Sequence, residues 1–153
     1  MNHTERNIGI CVILLILNLM FIWGNSMLPA EVSQKISDCV LELLPEIPEQ
    51  PIQQGDGSHL VRKLAHVAEF TVLGMLLSWL TAMRKRKWWL TVPLGTIVAC
   101  IDETIQMFVP GRGPGLLDVG IDVCGAAAGM ILLQTGYRIV RRKQTISFGG
   151  KQL

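Results

Sequence analysis

The sequence has little charge and few aromatic side chains. Of its 153 residues, 17% are Asp, Glu, Lys or Arg and 6% are aromatic. Its four cysteines show neither a Cys-x-x-Cys motif nor a Cys/His spacing, which argues against a zinc site and a disulfide framework. The formal net charge of +2 is too small to indicate a nucleic-acid partner. Hydrophobic residues make up 50% of the chain and the mean hydropathy is +0.40, which is typical of a small integral membrane protein.

Four apolar stretches are long enough, or nearly so, to cross a hydrocarbon core of about 30 Å, which needs roughly 20 helical residues. They cover residues 7–24, 64–83, 88–109 and 116–140. The first has a weak basic leader and no clean cleavage site, so we interpret it as an anchor rather than a signal peptide. The sequence therefore predicts an all-α fold, an integral membrane four-helix bundle that forms a single domain over residues 1–153.

Lys and Arg are concentrated in two segments, "RKRK" (84–87) and "RRK" (141–143). By the positive-inside rule, both segments face the cytoplasm. Four spans then place both termini in the cytoplasm, with residues 141–153 as a tail. Residues 25–63 and the "PGRGPG" loop (110–115) are predicted to lie outside.

The outer loop, residues 25–63, contains one helical pattern. Within residues 30–44, Val32, Ile36 and Val40 fall on one side of a helix, which predicts an extracytoplasmic amphipathic helix between spans 1 and 2. Residues 45–59 are rich in Pro, Gln and Gly and are interpreted as a linker.

Ionisable side chains recur at helical spacing in the outer halves of the last three predicted spans, where lipid makes them costly. Each span carries one stripe: Arg62, His66 and Glu69 in the second, Glu103 and Gln106 in the third with Asp102 beside them, and Asp118 and Asp122 in the fourth. Because residues three, four and seven apart share a helix face, each stripe can turn inward. We expect these stripes, with Lys63 and Arg112, to form the floor and rim of an outward-facing cavity. Gly125 and Gly129, which follow the last stripe, are interpreted as a helix-packing patch.

The charges of this predicted cavity are unbalanced. Five carboxylates face three basic side chains, so an acidic excess is left even if His66 is protonated. The carboxylates are therefore expected to be partly protonated or to bind a cation. That cation is a divalent metal ion, a substrate amine or a transported proton. For a metal ion, the candidate ligands are Glu103, Asp118 and Asp122, whose oxygens suit Mg²⁺, Ca²⁺ or Mn²⁺. The basic side chains, Arg112 above all, suit a phosphate or a carboxylate. A purely structural polar core is the alternative.

Two segments, "RKLAHVAEFTVLG" (62–74) and "DETIQMFVPGRGPGLLDVGIDVCGAAAG" (102–129), resemble the VanZ family of bacterial membrane proteins. The matching positions are Lys63, His66, Glu69, Asp102, Glu103, Gln106, Arg112, Asp118, Asp122, Gly125 and Gly129, with a weaker match at Ser26, Ser33 and Ser37. Two positions depart from the family pattern, since Phe70 stands where Tyr is frequent and Asp122 where Asn is often found.

The resemblance implies a multi-pass protein of the bacterial plasma membrane that gives low-level resistance to the lipid-bearing glycopeptide teicoplanin. Our first hypothesis is an envelope protein that binds the drug, or the head group of a membrane lipid or lipid-linked cell-wall precursor, at the outer leaflet. The second is an integral-membrane enzyme acting on a lipid head group, with His66 and Glu103 as acid and base and Asp118 and Asp122 holding a metal or orienting the histidine. Proton-coupled transport is a third, weaker hypothesis, because four helices make a small pathway unless the chain oligomerises. The sequence leaves the oligomeric state open.

Overall fold

The computed structural model describes residues 2–43, 56–113 and 115–149, and all regular structure in that part of the chain is helical. The α-helices are α1 (His3–Ser26), α2 (Ala30–Leu43), α3 (Asp56–Met83), α4 (Thr91–Gln106) and α5 (Leu116–Gly149). A 3-10 turn, Trp88–Leu90, precedes α4. The all-α prediction is confirmed. Most of the linker predicted within 45–59 lies outside the described residues.

Within the described residues, three segments are long and apolar enough to cross a membrane: α1, residues His59–Met83 of α3 and residues Leu116–Val140 of α5. The chain is therefore a multi-pass membrane protein. The predicted third span, residues 88–109, takes the form of the 3-10 turn followed by α4, which has 16 residues. Because α4 is shorter than α1, α3 and α5, the structure confirms three candidate spans and not the predicted bundle of four.

The α3 helix lies at the centre of the molecule. It packs most extensively against α5 and also contacts α1, α2 and α4. Of the three candidate spans, that of α3 is the most buried. The protein buries 39% of its apolar stretch, against 17% for α1 and 28% for α5. Phe70 and Leu73 of α3 join Cys11, Ile22 and Ala99 in the apolar core.

Glycines allow α3 and α5 to approach closely. A Cβ on Gly74 would collide with the backbone carbonyl of Ala126, and a Cβ on Gly129 would collide with that of Thr71. Gly125 lies against the backbone of Val67 in the same seam. Glycine therefore lets the two backbones touch, as at small-residue interfaces in membranes.

Parts of four helices meet at one end of the bundle. The C-termini of α1 and α4 lie there beside the N-terminal halves of α3 and α5, as side-chain hydrogen bonds and the approach of His66 to Asp122 show. The α4–α5 loop closes over this end, and its Pro110 carbonyl accepts a hydrogen bond of 3.3 Å from the Ala30 amide at the start of α2. Gly111 has φ +78°, and a Cβ there would meet the Ala30 side chain, so this contact requires glycine.

Candidate functional site

The structure brings the ten polar residues of the predicted cavity to this one end. We call them the polar layer: Arg62, Lys63, His66, Glu69, Asp102, Glu103, Gln106, Arg112, Asp118 and Asp122. His66, Glu69, Asp102, Glu103 and Asp122 are buried, whereas Lys63 is exposed at the rim. Burial of this many ionisable groups needs specific partners, because an unpaired buried charge is costly.

The deepest part of the polar layer is a cluster of His66, Asp102 and Asp122. Nδ1 of His66 lies 3.9 Å from Oδ2 of Asp102 and 3.8 Å from Oδ1 of Asp122. Three helices thus place an imidazole between two carboxylates. Asp102 is fully buried. We call these three residues the His66 cluster.

Hydrogen bonds from neighbouring side chains hold the carboxylates of the layer in place. Nε2 of Gln106 donates to Oδ2 of Asp102 at 2.7 Å and to Oγ of Ser26 at 3.3 Å. Nδ2 of Asn25 donates to Oε1 of Glu69 at 2.9 Å. The C-terminus of α1 therefore helps to position acidic groups on both α3 and α4.

Glu103 and Asp118 contact groups outside the His66 cluster. Oε1 of Glu103 accepts a hydrogen bond from the backbone amide of Gly115, which ties α4 to the loop before α5. Asp118 forms an ion pair of 3.3 Å with Lys63, and both side chains are nearly half exposed. Of the three residues predicted as metal ligands, Asp122 is thus the one that belongs to the cluster.

Arg112 lies in the α4–α5 loop with its guanidinium partly buried. Its Nη2 donates to the backbone carbonyl of Asn25 at 3.3 Å. Among the described residues, no group accepts a hydrogen bond from its buried Nε or Nη1. Burial and the nearby guanidinium of Arg62 lower the pKa of Arg112 below its usual value. A buried cation with unused donors is suited to an anion.

Arg112 and Arg62 line an open cleft of about 790 Å³ above the buried carboxylates. Its walls come from α2, the start of α3 and the α4–α5 loop. A smaller cavity of about 350 Å³ lies beside it and is lined by Arg62, His66, Asp118 and Asp122, among others. Arg62, Gln106 and Asp118 line both, so the two spaces adjoin.

The α2 helix has three distinct faces. Ser33 and Ser37 are its buried residues, and Ser37 lines the large cleft. The apolar side chains of Val32, Ile36 and Val40 are 41 to 52% exposed and point away from the bundle. The remaining side is charged, with Glu31, Lys35, Asp38 and Glu42 exposed. A helix of this kind suits a boundary between protein, lipid and water.

Asn25 is the contact residue that sequence reasoning missed. It follows the apolar run of α1 directly, and a polar residue there is equally typical of a plain helix end. Only the folded chain brings its amide to Glu69 and its carbonyl to Arg112.

A family model covers most of the chain. The VanZ/LLP1 family model matches residues 10–139, which include the whole polar layer. The chain belongs to the VanZ/LLP1 family. The resemblance found in the sequence is thereby confirmed, and a VanZ-like envelope protein is the class that membership supports. Neither the curated proteins nor the solved structures contain a match to this VanZ/LLP1 chain.

Proposed function

We propose that this VanZ-like protein binds an anionic head group in the large cleft, at the outer face of the bacterial plasma membrane. The buried Nε and Nη1 of Arg112, with no acceptor among the described residues, carry the proposal. Arg62 and His59 add basic groups to the same cleft. A phosphate would accept several charge-assisted hydrogen bonds there, and a guanidinium presents its donors as a planar fork.

The proposed topology has four spans, with both termini in the cytoplasm and α2 on the outer surface. The 3-10 turn has 3 residues and α4 has 16. Placed end to end and nearly perpendicular to the membrane, the two segments reach close to the roughly 30 Å of a hydrocarbon core. The basic segment 84–87 lies at the opposite end of α3 from the polar layer. The positive-inside rule then directs the polar layer outward.

Teicoplanin and the lipid-linked cell-wall precursor are the ligands that this location favours. Both meet at the outer leaflet, and the exposed apolar face of α2 offers a surface for lipid chains beside the basic cleft. Occupation of the cleft by the drug, or by a lipid head group, would lower the access of teicoplanin to its target. Resistance at a low level is the expected phenotype.

A second candidate function is hydrolysis or transfer at a lipid-linked head group. The observation that favours it is the His66 cluster, because an imidazole between two carboxylates is an arrangement used in acid–base chemistry. In this alternative His66 and Glu103 act as acid and base, and Asp122 orients the histidine. Proton-coupled transport draws support only from the acidic excess.

Binding of a short-chain phosphatidic acid to the purified, detergent-solubilised protein tests the first candidate. We expect saturable binding by isothermal titration, and no binding of the diacylglycerol with the same chains. The Arg112→Gln variant should bind roughly 10- to 100-fold more weakly, because a hydrogen bond to a charged group contributes about 1.5–3 kcal/mol. The affinity of Arg112→Lys should lie between those of the wild type and Arg112→Gln, since lysine keeps the charge but lacks the planar pair of donors of the guanidinium.

An exposed arginine at the other end of the bundle provides the matched control. Arg84→Gln removes one positive charge far from the cleft and should bind like the wild type. Equal affinity for the phosphatidic acid and the diacylglycerol would refute head-group binding. Release of inorganic phosphate during the titration would instead favour the enzymatic candidate.

A further inference from the structure

The contacts of the His66 cluster lead to an inference beyond head-group binding. We infer that His66, Asp102 and Asp122 bind one divalent transition-metal ion. One ligand atom from each residue lies within 4.8 Å of the other two, and all three side chains are buried. A metal ion at about 2.0–2.2 Å from such atoms would need only a small inward movement of each side chain.

Unpartnered atoms separate this cluster from an ordinary polar core. In the described part of the chain, nothing forms a hydrogen bond with Nδ1 of His66 or Oδ1 of Asp102. His66 is 9% exposed and Asp102 is 0% exposed. Buried polar groups in proteins are nearly always satisfied, so two orphan atoms in one cluster, one of them facing both carboxylates, indicate a ligand.

The formal charge of the polar layer also suits a divalent cation. Glu69, Asp102, Glu103, Asp118 and Asp122 supply five carboxylates, whereas Arg62, Lys63 and Arg112 supply three cations. The difference is two negative charges. Lys63 pairs with Asp118 at the rim, which leaves Glu69 and Glu103 and the two carboxylates of the His66 cluster to be balanced by Arg62 and Arg112.

The donor set points to the class of metal. One imidazole nitrogen with two carboxylate oxygens suits Zn²⁺, Mn²⁺ or Fe²⁺, whereas Mg²⁺ and Ca²⁺ prefer oxygen ligands alone. Gln106 holds Oδ2 of Asp102 at 2.7 Å and would orient that ligand from outside the cluster. His66 and Asp122 both line the 350 Å³ cavity, which leaves a face of the ion open to a small ligand.

Metal binding is tested on the purified full-length protein in detergent, without lipid or phosphate. After removal of metal with EDTA, the wild type is titrated with Zn²⁺ and, separately, Mn²⁺, and bound metal is measured by elemental mass spectrometry. We expect one ion per chain, a higher Tm with the ion bound, and no comparable effect of Mg²⁺. Failure of the wild type to bind Zn²⁺ or Mn²⁺ would overturn the inference.

Variants locate the ion. His66→Ala and Asp122→Asn should abolish stoichiometric binding, and Gln106→Ala should weaken it by roughly 10- to 100-fold, the usual cost of losing an outer-shell partner. Asp118→Asn, four residues from Asp122 on the same helix, removes a nearby charge but no ligand, and should weaken binding far less than Asp122→Asn. Size-exclusion profiles and the Tm of the metal-free proteins show whether each variant is folded. Equal losses in Asp118→Asn and Asp122→Asn would contradict this placement.

Metal binding and head-group binding are tested by different variants, so one can fail without the other. Arg112→Gln should keep the metal while losing the phosphatidic acid. His66→Ala should lose the metal and keep phosphatidic-acid binding, because His66 does not line the large cleft.

Discussion

The carboxylates of the polar layer differ in what each one contacts, and their substitutions should differ accordingly. Asp118 shares a solvent-exposed ion pair with Lys63, a type of contact that contributes about 0–1 kcal/mol. Glu69 is buried and accepts a hydrogen bond from Asn25. Glu103 accepts one from a backbone amide.

Loss of the Asn25 side chain should destabilise the protein more than loss of the Lys63 side chain. Asn25→Ala leaves Oε1 of buried Glu69 without its donor, at a cost of about 1–3 kcal/mol. Lys63→Ala should cost less than about 1 kcal/mol. Thermal unfolding of both variants in the same detergent compares them, and a larger fall in Tm for Lys63→Ala would contradict the assignment.

Glu103 is predicted here to position the loop rather than to transfer a proton. Glu103→Gln keeps an oxygen that can accept from the Gly115 amide, so phosphatidic-acid binding should change by less than about threefold. Glu103→Ala removes the acceptor and should weaken binding by roughly 5- to 30-fold, equivalent to about 1–2 kcal/mol. Equal damage by both substitutions would favour a role for the carboxylate charge, as in the enzymatic candidate.

At the scale of elements, close approach of α3 and α5 sets the geometry of the polar layer, because these helices carry His66 and Asp122. The seam depends on glycines whose neighbours are backbone atoms and cannot move aside. Gly136, on the same helix, has open space around it.

Gly129→Ala should therefore destabilise the protein by about 1–3 kcal/mol or more, the usual cost of overpacking. Gly136→Ala should be neutral or slightly stabilising, since alanine is the better helix former. The Tm in detergent distinguishes Gly129→Ala from Gly136→Ala, and the amount of metal bound at the His66 cluster is a second readout. Similar Tm values for both variants would mean that the helices can separate at no cost.

The helical elements were predictable to different degrees. The stripes of α3 and α5 could be read from the sequence, because charged side chains in an apolar helix must turn away from lipid. The end of α4 at Gln106 could not, since Met107, Phe108 and Val109 continue the apolar pattern beyond it.

The same limit applies to the polar layer. Spacing alone placed Asp102 beside its stripe, whereas its complete burial comes from the packing of α4 against α1, α3 and α5. The contact between Glu103 and Gly115 depends on how the α4–α5 loop folds back, and residue spacing carries no signal of that.

For the whole molecule, the proposed orientation predicts which ends reach the outside of the cell. In a Cys39→Ser background, Asp38→Cys puts a thiol on the charged face of α2 and Lys87→Cys puts one in the loop before α4. A membrane-impermeant maleimide should label the first in intact cells and the second only after permeabilisation. The reverse pattern would invert the topology and place the cleft in the cytoplasm.

The most direct measurement is the susceptibility of a sensitive Gram-positive host to teicoplanin and vancomycin. The strains carry the wild type, Arg112→Gln or Arg84→Gln at matched membrane levels, or no copy. We expect protection against teicoplanin alone, kept by Arg84→Gln and lost in Arg112→Gln. Equal protection by Arg112→Gln, or none in any strain, would contradict resistance through head-group binding in the cleft.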